Sequence, residues 1–320
     1  MRPAKDPTLI GDIGGTNSRL AIFYTKEDEL FGLRIYKNKD YSNLEELIEK
    51  YFTEINLSVK PKVALFAIAG PVLSDRVTMT NLGWKIRRDR LKKILKLERV
   101  YLVNDLQAMA GSLRYLRSED LLTIKEGAKM RALPKVFMAI GTGLGVSLLV
   151  NTRPLTILAS EGGHSPFSPS NDYEWHFVRF LTSQGKEVIW EEVLSARALS
   201  SWFGFRFSRS LDPKEITELA RKGHGGASEI VSDFIALLGR KCYELAVNFK
   251  PLGGIYLAGG VLLGLADFLK KRDYLERFYE GFFYSKRLER FLRIITIKLI
   301  LHPYPVLLGA QTILRSQQKR

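Results

Sequence analysis

Apolar residues recur along the first third of the chain at two spacings, which predict strands and helices in alternation. Residues 44–55 carry apolar side chains three and four positions apart, so they predict a helix with Ser42 and Glu45 as its capping box. A second helix is predicted over 106–116. Short apolar runs predict strands at 8–13, 18–24, 33–36, 63–68, near 77–79 and at 100–103. Strands that feed helices in this order indicate an α/β domain.

The same pattern starts again in the middle of the chain. A strand over 136–140, a glycine turn over 141–145 and a return strand over 146–150 repeat the strand, turn and strand of residues 8–24. This internal repeat predicts two related halves. The later predicted elements are helices near 190–202, 230–248 and 306–317 and strands over 254–258 and 294–301.

The composition excludes several classes of protein for this chain. A chain of 320 residues is long enough for about two domains, and 46% hydrophobic with 26% charged residues excludes wholesale disorder. The one cysteine, Cys242, excludes a disulfide framework and a cysteine-based zinc site. No signal peptide and no run of about 18 apolar residues is visible, so we expect a cytoplasmic protein without a membrane segment.

The net charge is strongly positive, since 49 Lys and Arg stand against 34 Asp and Glu, a difference of +15. This charge suits an anionic ligand, a nucleic acid or an acidic surface. Eight basic residues fall within 85–99, where Leu91, Ile94 and Leu95 form the apolar stripe of a predicted solvated helix. No aromatic residues interleave these charges, so nucleic-acid binding is disfavoured.

Two glycine-rich turns are candidates for binding an anion. Residues 14–17 and 141–143 each follow a predicted strand and lead into another strand, which argues against a Rossmann dinucleotide site. The Walker pattern is absent from the chain, so a P-loop NTPase is disfavoured. Backbone N–H groups of glycine can approach phosphate oxygens closely, and the hydroxyls of Thr16 and Thr142 add donors. A tight hairpin turn that binds nothing is the alternative for each.

Three other polar positions have candidate chemistry. Asp12 ends the first strand, where a carboxylate can hold Mg²⁺ through water or accept hydrogen bonds from the adjacent turn. Asn104 and Asp105 follow a strand where a helix begins, so Asp105 is either a helix cap or a catalytic base. The loop 161–164, Glu-Gly-Gly-His, can bind sugar hydroxyls or be an ordinary surface loop.

These motifs stand in an order that resembles the bacterial-type glucokinases, of the sugar kinase, Hsp70 and actin superfamily. The resemblance covers nearly the whole chain, from residue 8 to residue 310. The matching segments are 11–20, 67–71, 79–84, 103–105, 141–145, 160–164, 192–195 and 257–260.

The resemblance implies an α/β fold of two lobes, each a ribonuclease-H-like five-stranded mixed sheet with helices, and an active-site cleft between the lobes. In that family the last helix returns to the small lobe, and residues 306–317 match it. Residues 117–135 are charged and lack a long periodic stretch, so they mark the boundary. The predicted small α/β lobe is therefore discontinuous (1–116 and 306–320), and the large α/β lobe covers 117–305.

The resemblance also implies a reaction, the ATP-dependent phosphorylation of the 6-hydroxyl of glucose. Asp105 is then the general base, and Mg²⁺ lies near Asp12, bound through water; a cytoplasmic homodimer without zinc is expected. The implied sugar contacts are Asn81, Asn104, Asp105, Glu161, His164 and Glu192. The implied nucleotide contacts are Asp12, Gly14, Gly15, Thr16, Asn17, Gly141, Thr142, Gly143, Gly259 and Gly260.

Two departures from the family pattern border the implied sugar site. Residues 195–199 read Ser-Ala-Arg-Ala-Leu where Ser-Gly-Pro-Gly-Leu is usual, and 165–167 read Ser-Pro-Phe where Val-Asp-Phe is common. Glucosamine, mannose or an N-acetylhexosamine are therefore alternatives to glucose. A non-catalytic sugar-sensing or nucleic-acid-binding regulator is the alternative from another class. The presence of Asp105 disfavours it, because a sensor needs no base.

Overall fold

The computed structural model describes residues 7–24, 29–72, 74–79, 82–128 and 133–317. It divides the chain into two units, each with its own hydrophobic core. The first unit comprises Met1–Leu116, Thr152–Ile157 and His302–Arg320, and the second comprises Arg117–Asn151 and Leu158–Leu301.

The strands and helices largely follow the predicted order. The strands are β1 (Pro7–Ile13), β2 (Asn17–Tyr24), β3 (Glu29–Lys37), β4 (Val63–Ile68), β5 (Arg76–Met79), β6 (Trp84–Arg87), β7 (Arg99–Asn104), β8 (Leu121–Lys125), β9 (Lys135–Ile140), β10 (Leu144–Thr152), β11 (Leu155–Ser160), β12 (Ile255–Ala258) and β13 (Ile297–Ile300). The α-helices are α1 (Leu44–Ile55), α2 (Arg88–Ile94), α3 (Asp105–Gly111), α4 (Asp172–Ser183), α5 (Trp190–Val193), α6 (Ala196–Phe207), α7 (Pro213–Arg221), α8 (Gly225–Phe249), α9 (Gly260–Gly264), α10 (Arg272–Phe282), α11 (Glu289–Arg293) and α12 (Pro305–Gln317).

The sheet of the first unit has five strands in the order β3-β2-β1-β4-β7. The hairpin β1–β2 is antiparallel, whereas β1, β4 and β7 run parallel, with Ile13 level with Ile68 and Ile68 level with Asn104. All seven residues of β1 are buried, as expected for a central strand with both faces covered. The carboxyl ends of three parallel strands therefore meet at one edge, where ligands collect in α/β sheets.

The last helix belongs to the first unit. Helix α12 packs on α3, and Thr312 Oγ1 donates a hydrogen bond to Gly111 O at 2.8 Å. Gly309 lies directly against Ala108 O of α3, so the two helices approach closely at a residue without a side chain. The prediction of a helix over 306–317 is confirmed, with its first residue at Pro305.

The sheet of the second unit has six strands in the order β11-β10-β9-β12-β13-β8. Its first five strands follow the pattern of the first sheet, since β9 and β10 form an antiparallel hairpin while β9, β12 and β13 run parallel. The predicted internal repeat is thus confirmed in the topology. The expectation of five strands was wrong here, because β8 adds an antiparallel edge strand to β13.

Several predicted details differ from the structure. The N-cap of α1 is Asn43, whose side chain accepts from Glu46 N, and Ser42 only donates its N–H to Glu46 Oε2. The basic stretch 85–99 is not one helix: it contains the end of β6, the short helix α2 and the start of β7. The first residues of this stretch, 85–87, lie in β6, which pairs with β5 in an antiparallel hairpin, and α2 begins after them at Arg88.

The two units also differ from the predicted lobes. Residues 152–157 group with the first unit, where Gln107 Nε2 donates to Ile157 O at 3.3 Å. The first unit resumes at His302 rather than at 306, and His302 Nδ1 accepts from Tyr304 N ahead of α12. In the described part of the chain no helix is long and apolar enough to cross a membrane.

Candidate functional site

The first glycine turn, residues 14–17, is held from inside by the side chain of Asn38. This buried side chain donates from Nδ2 to Gly14 O at 2.7 Å and accepts from Ser18 Oγ at 2.7 Å. Its backbone N–H donates to Thr16 O at 2.9 Å. The carbonyl oxygens of Gly14, Thr16 and Asn17 therefore accept from protein donors, which leaves the outer side of the turn to its amide groups.

Asp12 pairs with Arg19 across the hairpin β1–β2. The two residues stand opposite each other, and Arg19 Nη1 lies 2.9 Å from Asp12 Oδ2. Burial raises the pKa of the Asp12 carboxyl, and the positive charge of Arg19 opposes that rise. The observed partner is therefore an arginine, which neither alternative from the sequence anticipated.

Asn104, not Asp105, caps helix α3. Its Oδ1 accepts from Leu106 N at 3.0 Å and Gln107 N at 3.3 Å, while Gln107 Oε1 accepts from Asn104 N in return. Asn104 Nδ2 donates to Gly70 O at 2.9 Å, which ties the carboxyl end of β7 to the loop after β4.

Asp105 is consequently not needed as the cap. It is the first residue of α3, half-buried, and its Oδ1 accepts from Leu106 N at 2.9 Å. This hydrogen bond fixes the carboxylate at the edge where β1, β4 and β7 end. Of the two sequence alternatives for Asp105, cap or base, the geometry removes the first.

In the second unit the glycine turn 141–143 is joined to the segment that carries α5 and α6. Leu144 N donates to Glu191 Oε2 at 2.9 Å, and Ala196 N donates to Gly141 O at 2.8 Å. A side chain on Gly143 would overlap Glu191 Oε2, so only glycine allows the carboxylate to lie this close.

The loop 161–164 packs against Leu144, which follows the second glycine turn, and against Glu191. Gly163 lies directly on Leu144 O, where any Cβ would overlap the carbonyl, and Gly163 O accepts from Glu191 N at 2.9 Å. Its neighbours in the loop, Glu161 and His164, are exposed. The loop thus presents a carboxylate and an imidazole to solvent from a rigid support.

A buried lysine on α8 supports that loop from behind. Lys241 Nζ donates to Gly162 O and Ser165 Oγ, both at 3.1 Å, and to Glu244 Oε1 at 2.7 Å. Burial lowers the pKa of Lys241, and Glu244 partly offsets this effect. Ser165, one of the departures from the family pattern, is therefore part of the support of the loop.

Glu192 points to two cations rather than to the loop. Its Oε1 lies 3.4 Å from Arg197 Nη2, and its Oε2 lies 3.7 Å from Lys186 Nζ. The neighbouring Glu191 makes contacts to both the turn and the loop. The assignment of Glu192 to the sugar stays a prediction, and the structure brings the adjacent Glu191 to the turn.

The fourth glycine motif lies beside the second turn. Strand β12 runs parallel to β9, with Ala258 level with Ala139, and Gly259 follows at φ 103°. This left-handed conformation favours glycine, and a Cβ here would also overlap Ile140 O. Gly260 is exposed and begins α9. The motifs at 141–143 and 259–260 are therefore neighbours at the carboxyl ends of two adjacent strands.

The predicted site residues fall into two groups, one in each unit. The first unit holds Asp12, Gly14, Gly15, Thr16, Asn17, Asn104 and Asp105, and the second holds Gly141, Thr142, Gly143, Glu161, His164, Glu192, Gly259 and Gly260. Asn81 lies outside the described residues. Among the residues that the structure describes, no three His, Cys, Asp or Glu side chains cluster in a way that could hold a metal ion.

Three supporting residues, Asn38, Glu191 and Lys241, were not identified from the sequence. A weak signal existed for Lys241, because Arg240 and Lys241 interrupt an otherwise apolar face of α8. Glu191 adjoins a residue that was identified. Asn38 carries no local signal, since its partner Gly14 is 24 positions away.

Comparison with known proteins agrees with this arrangement. A sequence model of the glucokinase family matches residues 9–317. A glucokinase of Caulobacter vibrioides is 34% identical over 317 residues, which cover 96% of this chain and 94% of that protein.

Solved structures show the same fold. A glucokinase from an Antarctic psychrotroph superposes with a TM-score of 0.81 at 26% identity, covering 97% of this chain and 99% of that one. A ROK-family glucokinase from Streptomyces griseus, solved with glucose and AMPPNP, gives a TM-score of 0.65 at 20% identity over 96% of this chain and 98% of that one.

Proposed function

Since this chain belongs to the glucokinase family of sugar-phosphorylating enzymes, we propose that it transfers the γ-phosphoryl group of ATP to the 6-hydroxyl of glucose, with Asp105 as general base. The sugar-kinase class rests on the family. The nucleotide, the position of the hydroxyl and the role of each residue are the proposal.

The observation that carries the proposal is that Asn104 caps α3 while the carboxylate of Asp105 lies at the start of the same helix. Asn104 is the N-cap of α3, and Asp105 follows it as the first residue of the helix and shares the N–H of Leu106 with it. A primary alcohol is a poor nucleophile, so a carboxylate must orient it and take its proton as the new oxygen–phosphorus bond forms and the bond to ADP breaks. Asp105 stands at the sheet edge with its carboxylate already oriented by Leu106 N.

Sugar hydroxyls are assigned to the rigid loop of the second unit. Glu161 accepts and His164 donates or accepts, and both side chains are exposed on backbone that Glu191 and Lys241 hold in place. Asn104 has one amide hydrogen beyond its capping bonds for a hydroxyl oxygen. Asn81 and Glu192 remain proposed sugar contacts on the family resemblance alone.

Phosphate oxygens are assigned to the two glycine turns. In the first turn the carbonyl oxygens of Gly14, Thr16 and Asn17 accept from Asn38 and from the amide of Gly14, so the remaining N–H groups of the turn suit an anion. In the second turn Gly141 has open space on its Cβ side, where no described residue beyond its two chain neighbours has an atom within 4 Å. Gly259 and Gly260 lie next to that turn and are assigned to the adenosine part of ATP.

Asp12 fits a magnesium ion held through water. Arg19 occupies Oδ2, and no hydrogen bond from the described residues reaches Oδ1, so one oxygen is available to a metal-bound water. The ion would offset negative charge on the phosphate oxygens. The cytoplasmic homodimer implied by the family likewise stays a prediction.

The proposal is tested by ADP release from purified protein with ATP, Mg²⁺ and a panel of glucose, mannose, glucosamine and N-acetylglucosamine. We expect the highest kcat/KM with glucose and a product phosphorylated at the 6-oxygen, identified by nuclear magnetic resonance. A higher kcat/KM with another hexose would replace glucose in the proposal. ATP-independent sugar binding without ADP release would favour a sensor instead.

A further inference from the structure

Arg197 bridges two carboxylates beside the second glycine turn. It is the second residue of α6, and its side chain is 59% exposed. Its Nη2 donates to Glu191 Oε1 at 2.8 Å and lies 3.4 Å from Glu192 Oε1. Glu192 has a second cation nearby in Lys186, whereas Arg197 provides the ion pair seen for Glu191 among the described residues.

The charge of Glu191 lies close to the backbone assigned to phosphate. One oxygen accepts from Leu144 N, and the carboxylate lies where a Cβ of Gly143 would be. A carboxylate at this place repels an incoming phosphate group, because two like charges a few ångströms apart near a protein surface repel each other. The turn can accept a phosphate only if that charge is offset.

We propose that Arg197 is a positioning residue for ATP. It neutralises Glu191 and keeps the Glu191 carboxylate on Leu144 N. The turn 141–143 is then held in place, and no uncompensated negative charge beside it repels the phosphate. Arg197 stands where the family pattern has proline, so this device belongs to this chain rather than to the family pattern. The inference rests on the proposed assignment of the turn to ATP.

The test compares the wild type with Arg197→Met and Arg197→Lys. Arg197→Met keeps the length of the side chain and removes its charge, so KM for ATP should rise roughly 5- to 30-fold. We expect kcat at saturating ATP to stay within about twofold of wild type. Arg197→Lys should recover most of the ATP affinity that Arg197→Met loses, because lysine restores the positive charge.

Two further measurements separate electrostatics from structure. The ratio of variant to wild-type KM should shrink as salt rises from about 0.02 to 0.2 M, since salt screens the repulsion. The double variant Arg197→Met/Glu191→Gln should recover part of the affinity, because the uncompensated charge is gone. Arg272→Met is the matched control: it removes an exposed, ion-paired arginine from α10 and should change neither constant.

A KM for ATP within twofold of wild type in Arg197→Met would overturn the proposal. So would a loss that salt does not alter and Arg197→Lys does not restore, which indicates a packing role. Equilibrium ATP binding, measured in parallel without sugar, gives the same comparison if the wild type releases no ADP. Failure of the proposed function and failure of this inference are thereby distinguished.

Discussion

The candidate site residues lie in short contiguous motifs, and the residues that support them lie far away along the chain. The glycine turns, Asn104-Asp105 and the loop 161–164 each combine unusual backbone freedom with a polar group in a few positions. Their supports escaped prediction because they come from distant parts of the chain. Glu191 meets Leu144 across 47 positions and Lys241 meets Gly162 across 79, and no local pattern encodes such pairs.

Glu161→Ala and His164→Ala are expected to act on the sugar. Each removes one or two hydrogen bonds to hydroxyls, worth roughly 0.5–1.5 kcal/mol apiece, so KM for glucose should rise roughly 3- to 10-fold. KM for ATP should stay within about twofold. Both constants come from initial rates of ADP release.

Glu187→Ala and His176→Ala provide matched controls for these variants. Both residues are exposed in the same unit and outside the loop, so neither substitution should change the constants. A loss confined to ATP in the loop variants would place the loop on the nucleotide side.

Continuous apolar runs at the centre of a sheet were predicted closely, whereas the amphipathic helices α4, α7 and α10 and the edge strand β8 were not predicted. Strand β4 has the predicted bounds, 63–68, because it is a continuous run of apolar residues inside a parallel sheet. Strand β8 was missed, since its five residues stand among charged neighbours and are stabilised by pairing with β13, more than 170 positions later. Whether such a strand forms depends on its pairing with residues far away in the sequence.

The second glycine turn permits a test that separates phosphate binding from packing. Gly141→Ala adds a methyl group in open space, so the fold should be kept while KM for ATP rises roughly tenfold through lost contact with phosphate. Gly143→Ala should lower both stability and ATP affinity, because its methyl group displaces Glu191. Urea unfolding and initial-rate kinetics measure the two effects.

Gly225→Ala serves as the control for this pair. Gly225 is exposed, has no protein atom near its Cβ direction and begins a helix far from the turn in sequence. The stability should not fall, and KM for ATP should not rise. Normal ATP affinity in a folded Gly141→Ala protein would show that the turn is only a hairpin.

Strand β8 ends in a buried lysine that makes the stability of the second unit depend on pH. Lys125 Nζ donates to the carbonyl oxygens of Glu126, Arg293 and Ile295, and burial lowers the pKa of Lys125 to about 8. Above that pH the folded protein loses a proton that the unfolded chain keeps up to its ordinary pKa of about 10.4. Loss of the proton removes the cost of burying a charged ammonium group. Lys125 therefore makes the free energy of unfolding rise with pH between about 8 and about 10.4.

Lys125→Met isolates this contribution. We expect the variant to be less stable near pH 7, because three carbonyl oxygens lose their donor. Between pH 8 and about 10 its urea midpoint should rise less steeply than that of the wild type. Equal slopes for both proteins would contradict the lowered pKa.

At the scale of the molecule, the repeat noticed in the sequence is the main organising feature. Both sheets place a glycine hairpin at their centre and run parallel strands beside it, and in both the polar motifs follow the carboxyl ends of those strands. The family match over residues 9–317 agrees with this reading of the whole chain. The bounds of the two units could not be read from composition, because they follow from contacts such as that between Gln107 and Ile157.

The central claim is that Asp105 takes the proton of the sugar hydroxyl, and Asp105→Asn tests it most directly. Asparagine can still accept from Leu106 N but cannot act as a base, so the fold is kept. Asp212→Asn is the matched control, because Asp212 caps α7 and asparagine caps equally well. We measure kcat for glucose together with equilibrium glucose binding in both variants. The account predicts that kcat of Asp105→Asn falls roughly 10²- to 10⁴-fold while glucose still binds, and that Asp212→Asn equals the wild type. A folded Asp105→Asn protein with kcat within about tenfold of wild type would contradict it.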